Sequence, residues 1–173
     1  MNIELSVIIV NYNGLKFLTD CLNSLKINLV GISYEIIIID NDSKDESCDF
    51  IKQNFPEVIL IESKINHGFG KGNNEAVKQS RGENLLLINN DTIVLDNLKP
   101  VLKVLKSDKS IGVIGINMLN AKKEYLPVAG NFPNARNMFQ LIKLLDISSE
   151  FKTGIFTKNQ YEVGWLGGSF LML

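Results

Sequence analysis

Two apolar patterns alternate along this chain. Nearly unbroken runs occur at residues 5–10 (LSVIIV), 34–39 (YEIIII), 58–61 (VILI), 85–88 (LLLI) and 111–116 (IGVIGI). Runs of this kind predict strands covered on both faces, as in a parallel α/β sheet. Between the first two, Leu15, Leu18, Leu22, Leu25 and Leu29 recur at spacings of 3, 4, 3 and 4, which is one face of a helix. Ser43-Lys44-Asp45-Glu46 has the spacing of a capping box and predicts a second helix, with Cys48, Ile51 and Phe55 inward and Pro56 as its stop. A glycine-rich connection, 66–74 (NHGFGKGNN), leads into a helix over about 75–80, with Gly82 placed as a C′ glycine. Leu98, Val101, Leu102 and Leu105 mark one more helical face. Strand and helix in regular alternation predict a doubly wound, mostly parallel sheet with right-handed crossovers and helices on both faces.

After Asn117 the alternation stops. Residues 121–137, with Pro127, Gly130 and Pro133, read as loop with short strands; 138–145 (MFQLIKLL) reads as a short helix and 148–159 as a polar connection. The last stretch, 161–173 (YEVGWLGGSFLML), predicts a strand, a Gly-Gly turn and the start of another apolar element. An apolar end is unusual for a natural terminus, so the expectation is a chain cut short, with Phe170, Leu171 and Met172 exposed and favouring self-association. A single domain over 1–173 is expected, its nucleotide-binding part about 1–116.

The stretch 83–92 (ENLLLINNDT) is taken as the organising one, because its apolar run stops at Asn89, Asn90 and Asp91. Two more polar clusters follow strands: Asn11-Tyr12-Asn13 after the first and Asp40-Asn41-Asp42-Ser43 after the second. Each alone is a common turn. Together they line the carboxyl edge of one sheet, where open α/β folds bind ligands.

Composition narrows the chemistry. Lys plus Arg at 18 against Asp plus Glu at 19 give a net charge of −1, which leaves no electrostatic footprint for nucleic acid. Cys21 and Cys48 are too few for a disulfide framework and a lone His67 cannot build a Cys/His zinc site, so buried thiols in a reducing, cytoplasmic setting are expected. No apolar run approaches the roughly 20 residues of a bilayer span. Peripheral attachment at the inner face of the membrane and a homo-oligomer stay open.

The segments SVIIVNYNG, EIIIIDNDSKD, NHGFGKGNN and LLLINNDT resemble, in this order, the N-terminal motifs of family-2 glycosyltransferases, the glycine-rich one most like the rhamnosyltransferase branch. The resemblance runs from about residue 5 to 173. It implies a GT-A fold and inverting, metal-dependent transfer of a hexosyl or deoxyhexosyl group from a nucleotide-diphosphate sugar, UDP- or dTDP-linked, to a saccharide or lipid-linked acceptor in cell-surface polysaccharide synthesis. Asp91 matches the metal ligand for Mg²⁺ or Mn²⁺ at the end of the family's DxD motif, with Asn89 in place of the first Asp. Asp40 matches the carboxylate that bonds the pyrimidine base and Tyr12 the aromatic beside it. Val10, Asn66, Gly68, Lys71, Asn89 and Asn90 complete the implied nucleotide site. Trp165, Gly167 and Gly168 resemble an acceptor-side turn, with core packing of Trp165 the alternative. The resemblance places the general base beyond Leu173, so the chain is expected to bind donor and transfer little sugar; Asp146, Glu150 and Glu162 do not substitute for it.

Asp42 and Asp45 read as caps of a helix start or as ligand contacts, and Lys71 as a solvated lysine or a phosphate contact. Two other functions remain: a non-catalytic nucleotide-binding module of the same fold, and a nucleotidyltransferase. The latter typically carries a basic glycine-rich signature after its first strand, which Asn11-Tyr12-Asn13-Gly14 does not supply. A dinucleotide fingerprint is excluded because the glycines follow the third strand, and a P-loop because Gly72 follows Lys71.

Overall fold

The computed structural model describes residues 2–130, 160 and 162–173. The expected helix over 138–145, the connection over 148–159, and Asp146 and Glu150 lie outside the described residues. The chain divides into two compact units, 1–114 with 168–173, and 115–167.

The first unit holds a five-stranded sheet in the order β3-β2-β1-β4-β9, made of β1 (Leu5–Asn11), β2 (Tyr34–Asn41), β3 (Ile59–Ser63), β4 (Asn84–Ile88) and β9 (Phe170–Met172). β1 pairs in parallel with β2 and β4, and β2 with β3, whereas β9 runs antiparallel to β4. The sheet is thus mostly parallel, as its apolar runs require. Four helices are described: α1 (Leu15–Asn28), α2 (Ser47–Asn54), α3 (Gly68–Val77) and α4 (Lys99–Ser107). The crossover from β3 to β4 passes over β2 and β1, and α3 packs on those two strands. Strand alternation turns Ile8, Ile37 and Ile39 to Ala76 of α3, with Val10, Ile59, Ile61 and Leu87 packed around them. The same alternation turns Val7, Ile9, Ile36 and Ile38, all buried, to the opposite face. Leu18, Leu22 and Leu25 of α1 and Leu29 just after it are also fully buried.

Several expectations are corrected. The organising run at 85–88 is not the middle strand of the sheet: that place falls to β1, flanked by β2 and β4. Residues 111–116 form no strand: only Ile114 makes a single bridge, to Met172, because β9 occupies the place beside β4. Phe170 and Met172, at 2% and 0% exposure, are accordingly buried, so they form no apolar patch for self-association. α2 begins at Ser47 and not at Ser43, whose hydroxyl is engaged by Asp40. α3 starts at Gly68, well before 75, with the Asn66 side-chain oxygen accepting the Gly68 N–H at 2.8 Å. Gly82 is no C′ residue, since α3 ends five positions earlier at Val77. Its Cβ would lie 2.4 Å from the Ser6 nitrogen, so the glycine lets β4 start against β1.

The second unit contains the antiparallel pair β5 (Met118–Leu119) and β6 (Tyr125–Leu126), and the pair β7 (Ala129–Gly130) and β8 (Trp165–Leu166). These are the short strands expected after 117. Trp165 is half-exposed and lies over the bare face of Gly130, where a Cβ would come 2.7 Å from its indole nitrogen.

Candidate functional site

Strand order reverses between β1 and β4: the chain winds outward from β1 through β2 to β3, then returns to β1's other side. The crevice at such a switch point is where open α/β sheets take ligands. The three polar clusters fall there, at the carboxyl ends of β1, β2 and β4.

Asp40, next to last in β2, is 2% exposed with both oxygens engaged. Its Oδ1 accepts the Ser43 N–H at 2.8 Å; its Oδ2 accepts the Ser43 hydroxyl at 2.7 Å and the Asn11 amide at 2.8 Å. Asp42, with φ of 65°, turns the chain back so that Ser43 can reach Asp40. Asn11, fully buried at the end of β1, also accepts the Asn90 side-chain amide at 2.8 Å. Asn90 therefore spends its side chain on Asn11. Asp91 next to it is exposed and accepts no hydrogen bond among the described residues. Asn89 is half-buried; its carbonyl accepts the Cys21 thiol at 3.7 Å.

Just beyond β1, Tyr12 is 51% exposed. Val10 packs against Gly72, where a Cβ would meet its methyls at 3.2 Å. Asn66 and Lys71 are exposed at the start of α3, as is Gly68, whose φ of 72° favours glycine. Asn41, buried, donates to the Gly68 carbonyl at 3.1 Å, while its own Oδ1 has no partner among the described residues. A cleft of about 480 Å³ is lined by Asp40, Asp42, Ser43, Cys48, Glu62, Ser63 and Lys64. Asp45 faces away from it and serves two helices: its Oδ2 accepts the Leu15 N–H opening α1 at 3.1 Å, and its Oδ1 the Ser47 N–H opening α2 at 3.1 Å. Of the two readings held for Asp45, the cap is the one the geometry supports.

Burial, then the charge of Asp91, pushes the Cys21 thiol up to about 12. Burial, then Asp40, does the same to Cys48. Both stay protonated at neutral pH. Cys21 is buried as expected, whereas Cys48 is only partly so.

Sequence reasoning placed Asn11, Ser43 and Asn41 in the polar clusters at the sheet edge but gave none of them a role of its own. It missed Phe69, 48% exposed on the first turn of α3, whose ring stands beside Gly168. Asn11 carried a signal, a polar residue ending an otherwise apolar strand; the others read as ordinary turn residues.

No cluster of three or more His, Cys, Asp or Glu side chains able to hold a metal occurs among the described residues. A single exposed carboxylate suits Mg²⁺ or Mn²⁺, which keep waters and take further oxygens from substrate phosphates.

A switch-point crevice in a mostly parallel sheet closed by one antiparallel strand defines this unit as a GT-A fold. The sequence profile of glycosyl transferase family 2 matches residues 6–158, and the chain belongs to that family. It is 32% identical over 96 residues to the poly(ribitol-phosphate) beta-glucosyltransferase of Bacillus spizizenii, a match covering 53% of this chain and 15% of that protein. The structure of S. aureus TarS 1-349 in complex with UDP-GlcNAc is similar with a TM-score of 0.62 and 22% identity, over 98% of this chain and 58% of that one. The mannosyltransferase PcManGT from Pyrobaculum calidifontis, in complex with GDP-Man and Mn²⁺, is similar with a TM-score of 0.60 and 14% identity, over 99% and 44%. At these identities the structural likeness concerns the fold.

Proposed function

We propose that the chain is the donor-binding part of an inverting glycosyltransferase that takes a uridine or thymidine diphosphate sugar and delivers it to a hydroxyl of a saccharide or lipid-linked acceptor in cell-surface polysaccharide synthesis. The observation that carries this reading is the pairing, at one switch point, of an exposed carboxylate that accepts no hydrogen bond among the described residues with a buried carboxylate lining a cleft. UDP-GlcNAc in the TarS complex and the polymer acceptor in the name of the Bacillus relative support the donor and acceptor classes.

The base end is proposed for the cleft beside Asp40. A carboxylate offers about four acceptor sites; Asn11 and Ser43 take three, and the fourth, which the Cys48 thiol also reaches, is the one the imide N–H of uracil or thymine would claim. Cytosine lacks that proton and would be disfavoured. A divalent cation at Asp91 would draw the diphosphate toward that end of the crevice. Tyr12 is available to cover the base, and Asn66, Gly68 and Lys71 stand at the adjoining helix start. Asp91 would hold Mg²⁺ or Mn²⁺, which supplies Lewis-acid neutralisation of the charge developing on the departing nucleoside diphosphate.

Differential scanning fluorimetry against UDP, dTDP, CDP and GDP, each with and without Mn²⁺, tests this. A ligand at about 100 times its Kd adds about 2.7 kcal/mol, roughly 5–10 °C for a domain of this size. UDP or dTDP with Mn²⁺ is expected to give that rise and CDP a smaller one. Unchanged melting with every diphosphate would refute the donor site.

A further inference from the structure

The loop that carries Asp91 is anchored in an unusual way. Its backbone ties are long: Asn89 N–H to Ser169 O at 3.2 Å, Thr92 N–H to Asn89 O at 3.2 Å, and the Cys21 thiol to Asn89 O at 3.7 Å. The shortest bond reaching residues 89–92 among the described residues is Asn90 Nδ2 to Asn11 Oδ1 at 2.8 Å. Asn11 hands the interaction on, because its own amide donates to Asp40 Oδ2 at 2.8 Å and to Ser43 Oγ at 3.3 Å. A chain of hydrogen bonds thus runs from β4 across β1 to β2, with every donor pointing toward the Asp40 carboxylate.

We propose that Asn11 is a positioning residue that couples nucleotide recognition at Asp40 to cation binding at Asp91 across the switch point. The inference rests on the donor-site reading above. Only a side-chain amide can accept from Asn90 and donate to Asp40 at this size; a carboxylate loses the donor and an aliphatic side chain loses both. Aligned donors polarise one another, so strain at one end of such a chain is felt at the other. Gly14 closes one side of the Asn11–Asn90 bond: its Cβ would stand 2.1 Å from Asn90 Nδ2 and 2.3 Å from Asn11 Oδ1. A methyl at that position displaces the bond while leaving both partners in the sequence.

Calorimetric titration of the full chain with UDP, with and without MnCl₂, gives the factor by which Mn²⁺ tightens UDP. Hydrogen exchange at the amides of 89–92, without ligand, reports the loop by itself. Asn11→Asp, Asn11→Ala and Gly14→Ala are expected to lower the Mn²⁺ factor about tenfold and to speed exchange at 89–92. Asn90→Ala, at a half-buried position, cuts the same bond from the other end and keeps the test available if Asn11 variants do not fold. A lower melting temperature with the Mn²⁺ factor intact in every folded variant would overturn the inference and leave Asn11 a structural tie. Wild-type chain that binds no UDP with or without Mn²⁺ would instead sink the donor-site reading, whatever the exchange shows.

Discussion

Three carboxylates illustrate how one residue type serves different ends here. Asp91 is exposed with no hydrogen-bond partner among the described residues, so Asp91→Asn is expected to erase the Mn²⁺-dependent share of UDP affinity and to shift the melting temperature by less than about 2 °C, the range of ordinary surface changes. Asp40 is buried and takes three hydrogen bonds, so Asp40→Ala should lower the melting temperature as well as UDP-over-CDP preference, by about 1–3 kcal/mol for the orphaned Asn11 and Ser43 donors. Equal melting of both variants with unaltered nucleotide binding would make both carboxylates structural. Asp45 caps two helices from a third position. Loss of both caps in Asp45→Ala is expected to cost about 1–2 kcal/mol, seen as a lower urea midpoint with unchanged nucleotide affinity.

At the scale of elements, the ends of strands and helices are where local and tertiary demands compete. Ser43 has the spacing of an N-cap, yet its hydroxyl donates to Asp40 and accepts from the Asn13 N–H at 2.8 Å, so α2 starts four residues later. The capping signal was legible, but the Ser43 oxygen that would accept the helix N–H groups is taken by the Asn13 N–H and the Asn11 amide. Gly82 looks like a helix terminator and is instead the point of closest approach between β1 and the start of β4. Gly82→Ala would push a methyl to 2.4 Å from the Ser6 nitrogen and 2.8 Å from the Leu5 carbonyl carbon. Backbone cannot yield cheaply there, so the variant is expected to lose about 1–3 kcal/mol by thermal melting. A neutral result would show that β1 and the start of β4 part at that point without cost.

For the whole molecule, the amino end of the sheet is clasped by Glu35, which accepts the Ser6 hydroxyl at 2.7 Å, the Arg81 N–H at 2.7 Å and the Arg81 guanidinium at 2.6 Å. Burial pushes its carboxyl up, but these donors outweigh burial and hold it below the ordinary 4.5. At Asp45 burial is likewise outweighed, by Ser47 and Leu15, which hold it below 3.8. Both carboxyls bind protons less readily in the folded chain, so their stabilisation is complete above those ordinary values and drains away as pH falls below them. Chemical melts from neutral pH to about 3 should show a level stretch and then a decline beginning near the ordinary carboxylate values. Glu35→Gln should start lower and decline less steeply; an identical slope would show that Glu35 is not among the groups responsible. Among the described residues no helix is long and apolar enough to cross a membrane.

What the sequence by itself determined is everything that depends on local period and local chemistry: the apolar runs of β1 to β4, the leucine face of α1, the three polar clusters at strand ends, and the order of the family motifs. Each is set by residues within a few positions of one another. What tertiary structure decided is who stands beside whom. The strand at the β4 edge is the distant 170–172 segment and not the nearby 111–116, because pairing at an edge goes to whichever backbone the fold delivers there. Asn11, Asp40 and Asn90 are far apart in the chain, and nothing local to any of them reports a bond to the others. They become one hydrogen-bonded line only because the sheet places β2, β1 and β4 side by side and reverses its winding between the last two.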